Sequence, residues 1–502
     1  MHTQRALLPR STPTASGVSA RAVNALLDRL EEQEIECHSL MVVRRGHVVA
    51  EGWWAPYTPD RPHLLYSLTK SFTAIAAGLA IADGLLSLDD RVVDVLPDRI
   101  PEEMSDQARR ITVHHLLSMT AGHDTDSLTE AWELEPTDLV KGYLRVPFPH
   151  PEGTRHAYDN ATTYVLARMV ERATGQELPE FLDRRLLNPM GIHHAEWDRV
   201  ASGASFGFHG LHLTTEAVAA FGEMLRREGM WEGRRLVPRD WVRLATGKRI
   251  DTFQVEGWSD NPDVLCGYGY QFWRSRHGYH GAGSFGQFCL VVPEDELVIV
   301  LTAAIAAGGE TLLNPVWECL WPGVGVVGDG AQEDTALAER LRGLALPLVV
   351  GAGSGSGATS GSVEARADGS AEDSALTDGV AVKVEPVERA DGGGSDGDGA
   401  APVDAGAGAG WRLRLGDTIE VEVGHGEWRE SSPLGRPVTA SGGWQGEKFV
   451  ADLYVITTPH RVRVEVDAEA GTAVARWNLV PLTGPRLELH LRHPLMTRVD
   501  VA

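Results

Sequence analysis

The sequence is poor in lysine and cysteine, and it has no long apolar run. Five of its 46 lysine and arginine residues are lysines: Lys70, Lys141, Lys248, Lys383 and Lys448. Its four cysteines show neither a CxxC pair nor the spacing of a metal site, which favours reduced, mostly buried thiols. The most apolar stretch, Phe72–Leu88, is interrupted by Asp83 and Gly84. It therefore predicts a buried helix rather than a membrane span.

Positive charge is also scarce. The formal net charge is -24 at pH 7, which argues against a nucleic acid or an anionic membrane surface as partner, because both are polyanions. The first residues lack the continuous apolar segment of a secretory signal, so a cytoplasmic location is predicted. The adjacent pairs His114-His115 and His193-His194 point to different sides of their elements, and no carboxylate cluster completes either pair. No metal site is predicted.

A chain of 502 residues exceeds one ordinary hydrophobic core, so two or three domains are expected. The first spans residues 16–325. Helical spacing predicts an amphipathic helix over Ala20–Glu32, and apolar runs around turns predict strand pairs within Ser39–Glu51 and Phe288–Thr302. Strands at both ends with helices between them indicate an α+β domain whose terminal strands share one antiparallel sheet.

Residues 351–410 and 411–502 differ in composition. Gly, Ala, Ser and Asp dominate the first, which is predicted to be a flexible acidic linker because it cannot bury enough apolar surface to offset its ordering entropy. Within it, only Val380–Val387 could add a strand. Beyond it, alternation of apolar and polar residues predicts a small all-β domain. The alternating segments are Trp411–Leu415, Ile419–Val423, Val462–Val466 and Leu487–Leu491.

Ser67-Leu-Thr-Lys70 is the first candidate for chemistry. Residues three apart on a helix share a face, and the start of a helix favours negative charge. A lysine one turn after the serine, in a partly desolvated pocket, can lose its proton and help to activate the hydroxyl. Arginine cannot act as this base, and of the five lysines only Lys70 has a serine three residues before it. The alternative is an ordinary helix start at which Ser67 is the N-cap.

Tyr158-Asp-Asn160 is the second candidate, and it precedes a predicted amphipathic helix over Ala161–Thr174 that ends at Gly175. A cationic lysine nearby can lower the pKa of a tyrosine, which could then act as a general base or proton relay. The amide of Asn160 can polarise a substrate carbonyl or orient Lys70. The alternative for Tyr158 is a packing role.

His280-Gly-Ala-Gly283 is the third candidate. It lies just before the C-terminal strand pair, where its glycines can let a substrate backbone approach a sheet edge. A backbone N–H here and that of Ser67 would together form an oxyanion hole. The alternative is a tight glycine-rich turn that leads into a strand.

Together these motifs resemble the serine β-lactamase and penicillin-binding protein superfamily, in particular the branch with class C β-lactamases, DD-peptidases, esterases and 6-aminohexanoate-dimer hydrolases. That family has S-x-x-K, Y-x-N and then K-T-G or H-x-G, in this order. Here they are Ser67–Lys70, Tyr158–Asn160 and His280–Ala282. Similar flanking segments are Ile111–Gly122, Gly210–Glu216 and Gly267–Trp273. The resemblance implies an antiparallel sheet flanked by helices, with a helical subdomain.

The resemblance also implies a reaction. Ser67 would attack a carbonyl carbon and form a covalent acyl-enzyme, with Lys70 and Tyr158 as the general base. The residues implied to bind the substrate are Asn160, His280, Gly281 and Gly283. No metal or organic cofactor is required by this chemistry.

Two departures from the family's pattern narrow the prediction. Ala282 stands where the family usually has glycine, so the oxyanion donor is expected at Ala282 or Gly283. His280 replaces the lysine of true β-lactamases, and a histidine is mostly neutral near pH 7. Both departures favour a small ester, amide or peptide substrate over a β-lactam. The alternative function is a β-lactamase-like binding or regulatory scaffold without turnover, and the sequence leaves the substrate and the oligomeric state open.

Overall fold

The computed structural model describes residues 6–200, 202–252, 261–306, 308–351, 362–387, 410–494 and 498–499. The chain divides into two compact units. The first consists of residues 1–344 with 498–502, and the second of residues 345–497.

Within the described residues, the helices are α1 (Ala20–Glu32), α2 (Thr69–Ala82), α3 (Val92–Val95), α4 (Val113–Ser118), α5 (Leu128–Leu134), α6 (Leu139–Arg145), α7 (Asn160–Thr174), α8 (Leu178–Leu182), α9 (Thr215–Arg226), α10 (Arg239–Thr246), α11 (Glu310–Pro315), α12 (Ala331–Arg342) and α13 (Leu487–His490). The strands are β1 (Glu36–Arg44), β2 (His47–Trp53), β3 (His63–Leu64), β4 (Glu196–Trp197), β5 (Arg199–Val200), β6 (Leu211–Leu213), β7 (Met230–Trp231), β8 (Arg234–Arg235), β9 (Trp273–Arg274), β10 (Tyr279–Gly283), β11 (Gln287–Val292), β12 (Leu297–Ala304), β13 (Val363–Ala367), β14 (Ala381–Val387), β15 (Gly410–Leu415), β16 (Ile419–Gly424), β17 (Arg429–Ser431), β18 (Val438–Gln445), β19 (Lys448–Tyr454), β20 (Arg461–Asp467), β21 (Thr472–Trp477) and β22 (Arg498–Val499).

Two helices of the first unit follow from local sequence signals. Helix α1 has the predicted bounds, because Ser19 caps its first turn and its apolar stripe is buried. Helix α7 begins one residue earlier than predicted, at Asn160. Its N-cap is Asp159, whose side chain accepts a hydrogen bond from the backbone N–H of Ala161. It ends where Gly175 adopts the left-handed conformation, with φ at 67°.

The main sheet of the first unit has the strand order β2-β1-β12-β11-β10-β9, with all neighbours antiparallel. The terminal strands share one antiparallel sheet, as predicted, and they are direct neighbours in it, with Leu40 of β1 opposite Leu301 of β12. One face of this sheet packs into the cluster that also contains helices α2 and α9, through Cys289, Val291, Val298 and Val300. The arrangement is α+β.

Helix α2 forms the centre of that cluster. Its Phe72 ring stacks on Phe221 of α9 with the ring centroids 3.9 Å apart, and burial of each ring contributes about 1.5–3 kcal/mol. Gly78 lets α2 approach α10, since a Cβ at this position would lie 2.0 Å from the indole nitrogen of Trp241. Among the helices in the described ranges, none combines the length and apolar character that a membrane crossing requires.

The second unit contains one nine-stranded sheet of order β16-β15-β14-β13-β21-β20-β19-β18-β17. The alternation predicted over Val462–Val466 lies in β20, where Val462, Val464 and Val466 are buried and the residues between them are not. These side chains belong to a separate hydrophobic cluster. An all-β domain was predicted for residues 411–502; strands predominate among its described residues, and one short helix, α13, is also present.

Three boundaries differ from the prediction. Arg498 and Val499, predicted within the all-β domain of residues 411–502, form β22, which pairs with β5 in the first unit. The first unit extends beyond residue 325, because the buried side chains of Leu337 and Leu341 hold α12 within it. Strand β14 lies where Val380–Val387 was predicted to add a strand to the linker of residues 351–410, and it pairs with β15. Strand β13, also inside that range, was not predicted; its short alternating run, with Ala365 and Ala367 buried, is hidden by the average composition of the segment. Residues 352–361 and 388–409 of that linker lie outside the described residues.

The strand predicted over Leu487–Leu491 is instead the short helix α13. Leu487 and Leu491 are four residues apart, which is a helical as well as an alternating spacing, and both are 1% exposed. Glu488 between them is exposed and Leu489 is half-buried. A five-residue alternation is too short to distinguish the two periods.

Candidate active site

Ser67 lies in a 3-10 turn, Tyr66–Leu68, that leads directly into α2. The turn begins with strained backbone, since Tyr66 has a φ of 48°, in the left-handed region. Its ring stacks on His209 and meets Phe285 edge-on, both with centroids 5.1 Å away. Aromatic packing therefore fixes the backbone just before the serine, and Ser67 itself is half-buried.

Lys70 follows one helical turn later and is 1% exposed. Its Nζ lies 2.8 Å from Ser67 Oγ, 2.6 Å from Asn160 Oδ1 and 3.1 Å from the carbonyl oxygen of Phe208. Burial lowers the pKa of Lys70 to about 7, against the opposing influence of the carboxylates of Asp126 and Asp159. A substantial fraction of Lys70 is therefore the neutral amine at neutral pH.

The three partners of Lys70 are not equivalent. The side-chain carbonyl of Asn160 and the backbone carbonyl of Phe208 can only accept hydrogen bonds. A neutral amine has two N–H groups and one lone pair, so the two carbonyls occupy its N–H groups. As an ammonium, Lys70 Nζ donates to Ser67 Oγ as well. As a neutral amine, it leaves its lone pair for Ser67, whose hydroxyl can then donate. This is the arrangement that a base needs to take the proton of the serine.

Asn160, the first residue of α7, is held on its other side by Asp126. Its Nδ2 donates to Asp126 Oδ2 at 2.5 Å, and its backbone N–H donates to Asp126 Oδ1 at 2.9 Å. Although Asp126 as a residue is exposed, partial burial of its carboxylate and then the like charge of Asp159 raise its pKa to about 6. Asp126 is not among the site residues predicted from the sequence.

Tyr158 also reaches the serine, through a hydrogen bond between its side chain and that of Ser67. Lys70 Nζ lies 4.8 Å from the centre of its ring. The expected lowering of the pKa of Tyr158 by a cationic lysine is not what the structure gives. Burial, the dominant influence, raises the pKa of Tyr158 above its ordinary value, and the bond to Ser67 only opposes this. Its hydroxyl therefore keeps its proton at neutral pH.

Tyr158 packs against a small cluster of mostly buried aromatic and apolar side chains. Its ring stacks on Trp273 with an interplanar angle of 12° and centroids 5.6 Å apart, and Tyr268 meets Trp273 edge-on. Met119 and Ala282 pack into the same small cluster. We call Tyr158, Tyr268 and Trp273 the aromatic wall.

Strand β10 approaches the serine turn so closely that side chains would not fit. A Cβ at Gly281 would lie 2.3 Å from Leu68 Cδ1, and one at Gly283 would lie 2.1 Å from the carbonyl oxygen of Leu65. Beyond His280, the edge of β10 is not paired with β9, because their register covers only Tyr279 and His280. The third motif is thus a strand with a backbone edge beside Ser67, rather than a tight turn.

His280 is directed elsewhere than the other predicted residues. Its Nδ1 lies 2.6 Å from the hydroxyl oxygen of Ser275, and its ring is 5.7 Å from that of Phe288. Burial lowers the pKa of His280 to about 4, so the imidazole is neutral at pH 7. Direct hydrogen bonds join Ser67, Lys70, Tyr158 and Asn160 into one cluster, and His280 belongs to a neighbouring pair.

Comparison with known proteins assigns this part of the chain to a family. The sequence model of the Beta-lactamase family matches residues 22–313, more than half of the chain. The chain belongs to the Beta-lactamase family.

Two similar proteins are named as hydrolases. The 6-aminohexanoate-dimer hydrolase of Paenarthrobacter ureafaciens is 27% identical over 321 residues, which cover 59% of this chain and 81% of that protein. Esterase EstB of Burkholderia gladioli is 29% identical over 208 residues, which cover 36% of this chain and 53% of that protein. A solved structure from Bacillus anthracis, named for the 6-aminohexanoate-dimer hydrolases, supports the fold alone, with a TM-score of 0.51 and 18% identity over 63% of this chain and 86% of that one. This Beta-lactamase family member is a hydrolase.

Two contributors to the site of this Beta-lactamase family member were missed by the sequence analysis. The carbonyl of Phe208 is a backbone group, so no residue type marks it. Asp126 lies in the polar segment 123–127 and could have been found as an acidic residue before the Tyr158 motif, but only the fold brings it to Asn160.

Proposed function

We propose that this Beta-lactamase family member cleaves esters or amides of small molecules through a covalent acyl-enzyme formed on Ser67. The observation that carries the proposal is the 2.8 Å contact between Lys70 Nζ and Ser67 Oγ, with both N–H groups of the neutral amine occupied by carbonyls. A lysine whose lone pair points at a serine hydroxyl serves as a general base.

In the acylation step, Ser67 Oγ forms a bond to the substrate carbonyl carbon while its proton passes to Lys70. The carbonyl oxygen gains the negative charge of the tetrahedral intermediate. The backbone N–H groups of Ser67 and Gly283 are the donors proposed to stabilise it. The close approach of Gly283 to Leu65, two residues before the serine, supports Gly283 rather than Ala282 as the second donor.

Collapse of the intermediate breaks the bond to the leaving alkoxide or amine, which receives the proton held by Lys70. Tyr158 is bonded to Ser67 and retains its own proton, so it is suited to relay a proton without ionising. Water then attacks the acyl-enzyme, giving its proton to Lys70, and the acid leaves as Ser67 recovers its hydrogen.

The substrate class follows from the surroundings of the serine. Tyr158, the half-buried ring of the aromatic wall, favours an apolar acyl or leaving group, because covering its ring with such a group removes apolar surface from water. His280, in the position where true β-lactamases carry lysine, is neutral and bonded to Ser275. It offers no fixed cation to the carboxylate of a β-lactam. Uncharged esters are therefore the favoured substrates.

The test compares wild-type protein with Ser67→Ala on a series of p-nitrophenyl esters, with nitrocefin alongside. The variant should lose about 10³-fold or more of kcat/KM because it lacks the attacking oxygen. Its thermal midpoint should change little, since only a half-buried hydroxyl is removed. A fluorophosphonate probe should label wild-type protein and not the variant.

The matched control is Ser87→Ala, which alters an exposed serine in the turn after α2 and should keep full activity and labelling. Wild-type protein that neither turns over esters nor reacts with the probe would contradict the proposal and favour a scaffold without turnover. Retained activity in Ser67→Ala would show that Ser67 is not the nucleophile.

A further inference from the structure

We propose that Asp126 is a positioning residue, whose carboxylate fixes the Asn160 amide in the one orientation that leaves the lone pair of Lys70 directed at Ser67. The inference rests on the proposed function, because it concerns how the base for acylation is oriented. Asp126 acts through Asn160.

The two ends of the Asn160 amide face chemically different partners. Its Nδ2 group faces Asp126 Oδ2 at 2.5 Å, and its Oδ1 faces Lys70 Nζ at 2.6 Å. An ionised carboxylate only accepts hydrogen bonds, so it requires the NH2 end of the amide. If the amide rotated by half a turn, its NH2 group would face Lys70 and compete with Ser67 for the lone pair.

The carboxylate itself has little freedom to release the amide. Its second oxygen, Oδ1, accepts the backbone N–H of Asn160 at 2.9 Å, so both oxygens bind the same residue. Hydrogen bonds to an ionised acceptor are about twice as strong as neutral ones. Asp126 thereby holds the backbone and the side chain of Asn160 together at the first turn of α7.

The segment that carries Asp126 is anchored to the same helix end. Asp159, the N-cap of α7, accepts hydrogen bonds at 2.8 Å from the hydroxyl of Ser127 and from Nδ1 of His123. Because Asp159 precedes Asn160, the residues on both sides of Asp126 are tied to the residue beside its target. Asp159 is 1% exposed, so this anchor is inside the protein.

Asp126 also acts on Lys70 by charge. Its negative charge is the largest influence that opposes the lowering of the pKa of Lys70 by burial, and Asp159 is the next. The ionisable groups around Asp126 are Lys70 on α2, Tyr158 and Asp159 before α7, and His123, which is bonded to Asp159. Removing the charge of Asp126 should therefore lower the pKa of Lys70.

The experiment compares wild-type protein with Asp126→Asn. The variant is nearly isosteric, but its amide can pair with either end of Asn160. We expect kcat/KM on a p-nitrophenyl ester to fall about 10–100-fold, a part of the 10²–10⁴-fold that a placed base contributes. The acidic limb of the kcat/KM–pH profile should move to lower pH by about one unit, because loss of the negative charge beside Lys70 lowers the pKa of Lys70.

A second readout does not depend on turnover. Protein labelled with lysine carrying 13C at the ε carbon gives signals from only five lysines, and Lys70→Arg identifies that of Lys70. Lys70 should titrate near pH 7 in wild-type protein, and at lower pH in Asp126→Asn. If wild-type protein lacks ester turnover, the proposed function fails, and this titration still decides whether Asp126 acts on Lys70.

Two further variants separate positioning from a general structural effect. Asp126→Glu keeps an acceptor-only carboxylate and should retain the wild-type pH limb and more activity than Asp126→Asn. Asp124→Asn removes an exposed carboxylate of the same segment, bonded to His150 and Arg155, and should match wild type. Unchanged kcat/KM and unchanged Lys70 titration in Asp126→Asn would overturn the inference. Equal impairment of the Asn and Glu variants, with Lys70 titrating as in wild type, would overturn it too.

Discussion

Two groups of side chains near Ser67 are built by different physical means. Lys70, Asn160 and Asp126, which we call the polar wall, are joined end to end by hydrogen bonds of 2.5–2.9 Å. The aromatic wall is held by ring contacts and shares a cluster with Met119 and Ala282, and its Tyr158 is also bonded to Ser67. A hydrogen-bonded group is sensitive to which atom carries a proton, whereas a packed group is sensitive to volume. We therefore expect changes in the polar wall to act mainly on proton transfer, and changes behind Tyr158 mainly on substrate fit.

The largest effect is expected from Lys70→Arg, which breaks the polar wall. Arginine retains positive charge but is not a base at any physiological pH, so kcat/KM should fall about 10³-fold. Ester hydrolysis at pH 8 measures this loss. The control is Lys141→Arg, the same exchange on α6, which should retain wild-type rates. A Lys70→Arg variant with more than a tenth of wild-type activity would contradict the assignment of Lys70 as the base.

The pH dependence of the wild-type enzyme should reflect the protonation of Lys70 in the polar wall. The pKa of Lys70 is about 7 and the neutral amine is the proposed active form, so kcat/KM should rise up to about pH 7 and then level. Asp126, with a pKa of about 6, also takes up a proton below pH 6, so the expected increase between pH 5 and pH 7 is about 100-fold or more. A profile that is flat over this range, measured with an ester stable to buffer hydrolysis, would contradict the role of Lys70.

Gly283→Ala tests the close approach of strand β10 to the serine turn. The new Cβ would lie 2.1 Å from the carbonyl oxygen of Leu65, so backbone must shift, at about 1–3 kcal/mol in the free energy of unfolding. A displaced N–H at this position should lower kcat by about 10–100-fold. Ala282→Gly is the matched variant: it removes only a methyl group from the aromatic cluster, and its kcat should stay near that of wild type.

The smallest effect on kcat is expected at the aromatic wall. Trp273→Phe should reduce the stacking surface beneath Tyr158 and destabilise the protein by about 1–3 kcal/mol, because the indole is 4% exposed. KM for esters with large apolar groups should rise severalfold while kcat changes little. Urea unfolding and steady-state kinetics on acetyl and longer acyl esters measure both. A larger loss in kcat than in substrate affinity would contradict the division between the walls.

The sequence predicted those parts of the molecule that local signals determine. Ser19 and the buried stripe of α1 are neighbours along the chain, so its bounds could be predicted. Apolar patterning at both ends of the first unit predicted that its terminal strands share one sheet, whereas their direct pairing is seen only in the structure. The strand predicted at Leu487–Leu491 was wrong, because a five-residue pattern fits both the two-residue period of a strand and the 3.6-residue period of a helix.

At the site, residue types could be predicted and their environments could not. Ser67, Lys70, Tyr158 and Asn160 came from motif spacing, and the structure joins them by hydrogen bonds. The direction of the Tyr158 pKa depends on burial, a property of the whole fold, and it is opposite to the expectation. Asp126 lies 34 residues from Asn160 in sequence, and only tertiary structure makes them partners.

The adjacency of β1 and β12 has a consequence for synthesis of the chain. Leu40 and Leu301 are roughly 260 residues apart in sequence, so β1 has one unpaired edge until the ribosome has released the whole catalytic region. The serine turn and α2 are made early, but the sheet that supports them closes last. A β1–β2 hairpin formed before β12 would leave the other edge of β1 unpaired, and an unpaired apolar strand edge favours self-association.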